Sequence, residues 1–349
     1  MRLGTRSVPN RTDPLVSQYA EPAAGARAPL ARGVQSIARQ TYEETITARS
    51  LEMPWTLISG NSHPALAKDL AGELNIEAQM ADIGAFADGE TRVHLGTDVR
   101  GKAVFIVQPT SPPVDEHLMT LALLVDAARA AGATQITAIV PYFGYARQEQ
   151  RGRVGEARSA QVAARLLGAV GLDHLITLDL HAPALESALP MPATLLRADE
   201  LFLPKMKSWG ISDPLVVTPD AGGLKRAQRF ALELNAPLGV IAKHRPGADA
   251  AVVMEVLGDV QDRTCLIVDD MASTGRTLAA AAEALKQRGA RGVHAIFTHA
   301  VMAPGALARL FAAPLDRLVT SDSIPVPQDP RLEVVRTAGL LASSLLSRL

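Results

Sequence analysis

Apolar runs that alternate with helical periodicity constrain this chain more than any other feature. Residues 103–108 read AVFIVQ, a nearly unbroken apolar run of the kind a strand shows when both its faces are covered. DEHLMTLALLVDAARAAG follows at 115–132 with helical spacing and ends on Gly132, a glycine C-cap. QITAIVPYF supplies the next strand, and earlier WTLISG and HPALAKDLAGEL read as a strand and an amphipathic helix. The same order returns in TCLIVDD (264–270), TLAAAAEALKQRG (277–289) and GVHAIFTHA (292–300). Such alternation builds right-handed βαβ units around a mostly parallel sheet. GATQITAIVPYF from Gly132 and GARGVHAIFTHA from Gly289 have the same layout, about 157 residues apart. They read either as related α/β domains or as two ordinary βαβ units.

The 349 residues suit two domains of roughly 150 residues each. We place them at 53–197 and 198–349. Residues 1–52 differ: Pro, Ser, Gly, Ala and seven arginines stand there without sustained periodicity, as in a disordered extension. An Arg-rich transit peptide is the other reading, weakened by Glu43, Glu44 and Glu52. Met53 stands just before the first strand and is a candidate translation start.

Lys plus Arg number 35 and Asp plus Glu 36, a formal net charge of −1 that argues against a dedicated nucleic-acid binder. Aromatic residues are only 4%, too few for broad base-stacking surfaces. No apolar run reaches the roughly 18 residues that span a bilayer. The single cysteine, Cys265, excludes an internal disulfide and fits a reducing, cytoplasmic setting. Within a buried strand it reads as a small apolar filler.

The strongest local signal is LIVDDMASTGRTL at 266–278. Asp269 and Asp270 end a buried strand, and a small-residue turn then opens a helix. Ligands of open α/β sheets bind at the carboxyl ends of strands, and helix N-termini favour phosphate. Ser273, Thr274 and Thr277 add hydroxyls, and adjacent carboxylates suit the hydroxyls of a ribose. The plainer reading is a helix capped by Ser or Thr. Two acids at a buried strand end weigh against it, because unpaired buried charge is costly.

This stretch resembles the phosphoribosyl-diphosphate loop of phosphoribosyltransferases and ribose-phosphate pyrophosphokinases. FADGETRV (86–93), QPTSPPVDEHLM (108–119), PYFGYARQEQR (141–151), LDLHAP (178–183), TPDAGG (218–223) and AKHRP (242–246) resemble the pyrophosphokinases in order, from about Pro54 onward. The resemblance implies two related phosphoribosyltransferase-type α/β domains, each a mostly parallel sheet flanked by helices. It implies transfer of the diphosphoryl group of ATP to the 1-hydroxyl of ribose 5-phosphate, giving 5-phosphoribosyl 1-diphosphate and AMP. Phe86, Asp88, Gly89 and Glu90 then lie in an ATP-binding loop that reaches in from a neighbouring subunit. Arg147 and Gln148 match an ATP-contacting pair, and an arginine fork suits phosphate oxygens. His181 and Asp220 match positions that hold Mg²⁺ or its water shell, although magnesium prefers oxygen ligands. Lys243 and Arg245 match a catalytic loop that neutralises charge on the transferred group. Arg245, Asp269, Asp270, Ser273, Thr274, Gly275, Arg276 and Thr277 are the implied ribose 5-phosphate contacts. The implied partners are these substrates and further copies of the chain, as a homo-oligomer built from dimers, without nucleic acid or membrane.

The chain departs from the family pattern in places. Ser273 and Arg276 stand where many members carry Asp and Gly, and His244 interrupts the usual Lys-Arg-Arg. RGRVGEARSAQ (151–161) departs most, so allosteric control by phosphate or ADP is not carried over. A catalytically silent, nucleotide-binding regulatory paralogue is the alternative in another class. Retention of Lys243, Arg245, His181 and Asp220 opposes it. A phosphoribosyltransferase sharing only the one loop is opposed by FADGE and the duplicated layout.

Overall fold

The computed structural model describes residues 55–181, 183–244 and 253–348. The expected extension over 1–52, the candidate start at Met53, and Arg245 lie outside them.

The first half is a parallel sheet in the order β2-β1-β5-β6-β7-β8. Its strands are β1 (Trp55–Ser59), β2 (Ala78–Met80), β5 (Ala103–Val107), β6 (Gln135–Ile139), β7 (His174–Leu178) and β8 (Ala193–Leu196), and all its pairings are parallel. Between β2 and β5 the chain leaves the sheet for an antiparallel hairpin, β3 (Asp82–Ala85) and β4 (Thr91–His94). The helices are α1 (Pro64–Glu73), α2 (Val114–Ala130) and α3 (Ser159–Ala169). Helices α2 and α3 bury Leu121, Leu124, Ala164 and Leu167 against Ile106, Ile136 and Leu175 on one face of the sheet. Leu66 and Leu70 of α1 cover Leu57, Val107 and Ile176 on the other.

The second half repeats this plan in the order β11-β10-β9-β12-β13-β14-β15. Its strands are β9 (Pro214–Thr218), β10 (Leu238–His244), β11 (Val253–Leu257), β12 (Thr264–Met271), β13 (Gly292–His299), β14 (Arg317–Ser321) and β15 (Leu332–Val335). Among the described residues of this sheet, only the edge pair β10–β11 is antiparallel. Helices α4 (Ala198–Ser208) and α5 (Leu224–Glu233) cover one face; α6 (Arg276–Gln287) and α7 (Ala306–Ala312) cover the other.

The last helix, α8 (Ala338–Leu346), does not stay with the second sheet. Leu341, Ala342 and Leu345 pack beside α1 on the first sheet. Burial of an aliphatic side chain of this size stabilises by about 1.5–3 kcal/mol, so α8 ties the two halves together. His63, ahead of α1, also bonds through Nε2 to the Asp322 carbonyl at 2.9 Å. Among the described residues no helix is long and apolar enough to cross a membrane.

Candidate active site

The carboxyl ends of β7, β9 and β12 converge on a cavity of about 220 Å³. Arg147 and His181 line it from the first half, and Asp220, Asp269, Asp270, Ser273, Thr274, Gly275 and Thr277 from the second. Nine residues expected from scattered motifs therefore share one wall system.

The turn after β12 is built by backbone. Gly275 is the N-cap of α6, at φ +72°, and brings no side chain, while the neighbouring Thr274 Oγ1 accepts from the Arg276 N–H at 3.5 Å. The left-handed conformation favours glycine, and a Cβ there would lie 3.0 Å from both the Ala306 carbonyl and Leu310 Cγ. Neighbouring segments fix the turn: Ala272 N–H donates to the His299 carbonyl at 3.0 Å, and Ala303 N–H to that of Ser273 at 2.9 Å. Arg309 also donates to the Thr274 carbonyl. The result is a pinned loop at a helix N-terminus, the geometry that receives phosphate.

The two acids behave differently. Burial, and then Asp270, hold Asp269 well above the usual carboxylate range. Burial also works to raise Asp270, but the hydrogen bond from His181 and the charge of Arg226 outweigh it and keep it ionised. His181 Nδ1 donates to Asp270 Oδ2 at 2.6 Å. That bond raises the His181 pKa, with burial opposing. Asp220 Oδ1 accepts from Gly223 N–H at 3.1 Å, which orders the turn after β9.

Arg147 is placed by a tight loop after β6. Gly144 N–H donates to Thr110 Oγ1 at 2.7 Å, and a Cβ on Gly144 would stand 2.6 Å from the Thr110 carbonyl. Arg147 and Gln148 are exposed, and Gln148 does not line the cavity. Arg276 is exposed at the start of α6, also outside the lining. Phe86, Asp88, Gly89 and Glu90 form the exposed tip of the β3–β4 hairpin and are not among the residues lining the cavity. Gly89 adopts φ +94° there, and Phe86 is 54% exposed. Lys243 lies near the end of β10, in register with Met254. Cys265 is buried in β12, and burial pushes its thiol up to about 11, which leaves it unreactive.

Two residues at this site were not anticipated. Asp179, two positions before His181, adopts φ +48° and accepts from Arg226 Nε at 2.9 Å. Arg226 projects from α5 beside the buried Ala227, Phe230 and Ala231. A cation on the apolar stripe of a helix was the available signal. Among the described residues no group of three or more His, Cys, Asp or Glu side chains is arranged to hold a metal ion.

Known proteins share this fold. A model of the phosphoribosyl transferase domain matches residues 186–310. The fold is thus of the phosphoribosyltransferase type, present as two domains of parallel sheet flanked by helices. A model of the N-terminal domain of ribose phosphate pyrophosphokinase matches residues 55–171. A ribose-phosphate pyrophosphokinase of Burkholderia pseudomallei is 42% identical over 293 residues, covering 82% of this chain and 92% of that protein. One from Caldanaerobacter subterraneus is 37% identical and covers 83% of this chain and 93% of that protein. The crystal structure of phosphoribosylpyrophosphate synthetase from Mycobacterium smegmatis superimposes with a TM-score of 0.80 at 32% identity, covering 84% of this chain and 98% of that one. The chain belongs to the ribose-phosphate pyrophosphokinase family.

Proposed function

We propose that this chain is a ribose-phosphate diphosphokinase that moves the diphosphoryl group of ATP to the 1-hydroxyl of ribose 5-phosphate, releasing AMP. The observation that carries this reading is the shared cavity. A cation and a histidine from one half face an acid pair and a phosphate-type loop from the other. Such a site suits a reaction that joins two phosphorylated substrates in line. Catalysis there consists of positioning and charge stabilisation.

The loop 273–277 and the α6 N-terminus receive the 5-phosphate, with Arg276 beside it. Asp269 and Asp270 accept hydrogen bonds from the ribose hydroxyls. Arg147 and Gln148 meet the triphosphate, and Lys243 and Arg245 neutralise charge as the diphosphoryl group transfers. The exposed hairpin tip carrying Phe86, Asp88, Gly89 and Glu90 does not line its own cavity. It serves the ATP site of a neighbouring copy, in a homo-oligomer built from dimers. The chain works on small molecules in the cytoplasm, without nucleic acid or a membrane.

Mg²⁺ fits as a partly hydrated ion. His181 Nδ1 is already committed to Asp270, and Asp220 is an oxygen donor facing the same cavity. Asp220 would hold the ion, with His181 ordering its water shell. When bound, Mg²⁺ neutralises phosphate charge. Incubation with ATP, Mg²⁺ and ribose 5-phosphate tests the reading: AMP and 5-phosphoribosyl 1-diphosphate should appear in equal amounts. Nucleotide binding without turnover would replace it with the regulatory alternative.

A further inference from the structure

We propose that Arg226 is a positioning residue for ribose 5-phosphate: its guanidinium, clamped by Asp179, holds the Asp269–Asp270 pair where the sugar hydroxyls meet it. This rests on the ribose 5-phosphate reading of that acid pair.

Three carboxylates converge on one buried guanidinium. Arg226 Nε donates to Asp179 Oδ2 at 2.9 Å, while Nη1 stands 4.0 Å from Asp269 Oδ1 and 3.7 Å from Asp270 Oδ1. The arginine side chain is 10% exposed and that of Asp179 5%, so water screens little of this interaction. Adjacent buried carboxyls repel when both are charged; the Arg226 charge works against that repulsion at both, although burial and Asp270 still hold Asp269 raised. A planar fork reaches the clamp and the pair together, whereas an ammonium is a single point charge.

The clamp is itself fixed. Asp179 Oδ2 also accepts from Thr298 Oγ1 at 2.8 Å, and Asp179 N–H donates to the Leu196 carbonyl at 2.9 Å. Asp179 and His181 belong to one turn of the first half. Through that turn Asp270 is gripped twice: Oδ2 takes the His181 proton donor, and Oδ1 faces Arg226. A buried arginine needing only neutralisation would be satisfied by Asp179. The direction of Nη1 toward both site acids is the feature that assigns it to the sugar.

The test compares full-length wild type with Arg226→Lys and Asp179→Asn in steady-state kinetics. Asp179 does not line the cavity. Both variants should raise the KM for ribose 5-phosphate about tenfold or more, the scale of a lost contact to a charged group. The KM for ATP should stay within about twofold. Thr298→Val is nearly isosteric and removes only the hydroxyl that orients Asp179. It should show the same ribose-selective rise, smaller in size, and it keeps the test available if a charged variant does not fold. An unchanged ribose 5-phosphate KM in folded variants would overturn the proposal, and so would an equal rise in both KM values, which marks general structural damage. A wild-type chain that fails to bind ribose 5-phosphate overturns the underlying site reading instead.

Discussion

Replacing Gly275 by alanine separates the loop's shape from its chemistry, because no functional side chain is removed. The residue sits at φ +72°, where an L-residue costs roughly 1–2 kcal/mol. The added Cβ would also lie 3.0 Å from the Ala306 carbonyl, a backbone atom that cannot swing aside. The loop must therefore shift by a few tenths of an ångström. At about 2–4 °C per kcal/mol for a protein of this size, the melting temperature should fall by about 2–8 °C. Phosphate binding should suffer more. Each N–H bond to a charged group contributes about 1.5–3 kcal/mol, so one misdirected donor weakens ribose 5-phosphate about 10- to 100-fold. Gly101→Ala is the control. Gly101 has φ +74°, nothing within 4 Å of its Cβ position, and a place just before the amino end of β5. It carries a similar backbone cost and should leave ribose 5-phosphate affinity unchanged. Calorimetric titration of the sugar phosphate, paired with thermal melts, reads both effects. Gly275→Ala protein that melts lower yet binds ribose 5-phosphate like wild type would refute the argument that this backbone holds the phosphate.

Lys243→Ala should lower kcat by about 10²-fold or more with no change in melting; an unchanged kcat removes Lys243 from the chemistry. Phe86→Ala should raise the KM for ATP about 5- to 100-fold, the scale of aromatic–base stacking, without destabilising a residue that is 54% exposed. An unchanged KM would take the hairpin out of the ATP site. Burial lowers the pKa values of His63, His174, His294 and His299 from 6.5, His174 to about 4. Below pH 6.5 the unfolded chain therefore binds more protons at these positions, so the melting temperature should fall steadily from pH 7 toward pH 5. His181 and Asp269, whose pKa values are raised, oppose this as two groups against four. A melting temperature that is flat or rising across that interval would contradict the burial assignments.

The fold was legible because buried parallel strands carry nearly unbroken apolar runs. AVFIVQ became β5 and TCLIVDD became β12, each within a residue or so of its expected end. The destination of α8 was not legible. Its pattern shows an apolar face, but nothing in that face says that α1, some 270 residues earlier, covers it. Similarly, Asp269 and Asp270 were legible as acids ending a buried strand, and His181 and Asp220 through short motifs that resemble the family's, each visible one segment at a time. Asp179 and Arg226 escaped because their meaning lies in meeting each other across two halves. A single Asp or Arg in a sequence carries no record of its partner.

The central claim is transfer of a diphosphoryl group, and the fate of the β-phosphorus tests it most directly. With β-labelled ATP, Mg²⁺ and ribose 5-phosphate, the label should move quantitatively to the diphosphate on C1 of the sugar and leave unlabelled AMP. Label retained in ADP, or released without joining the sugar, would contradict the account.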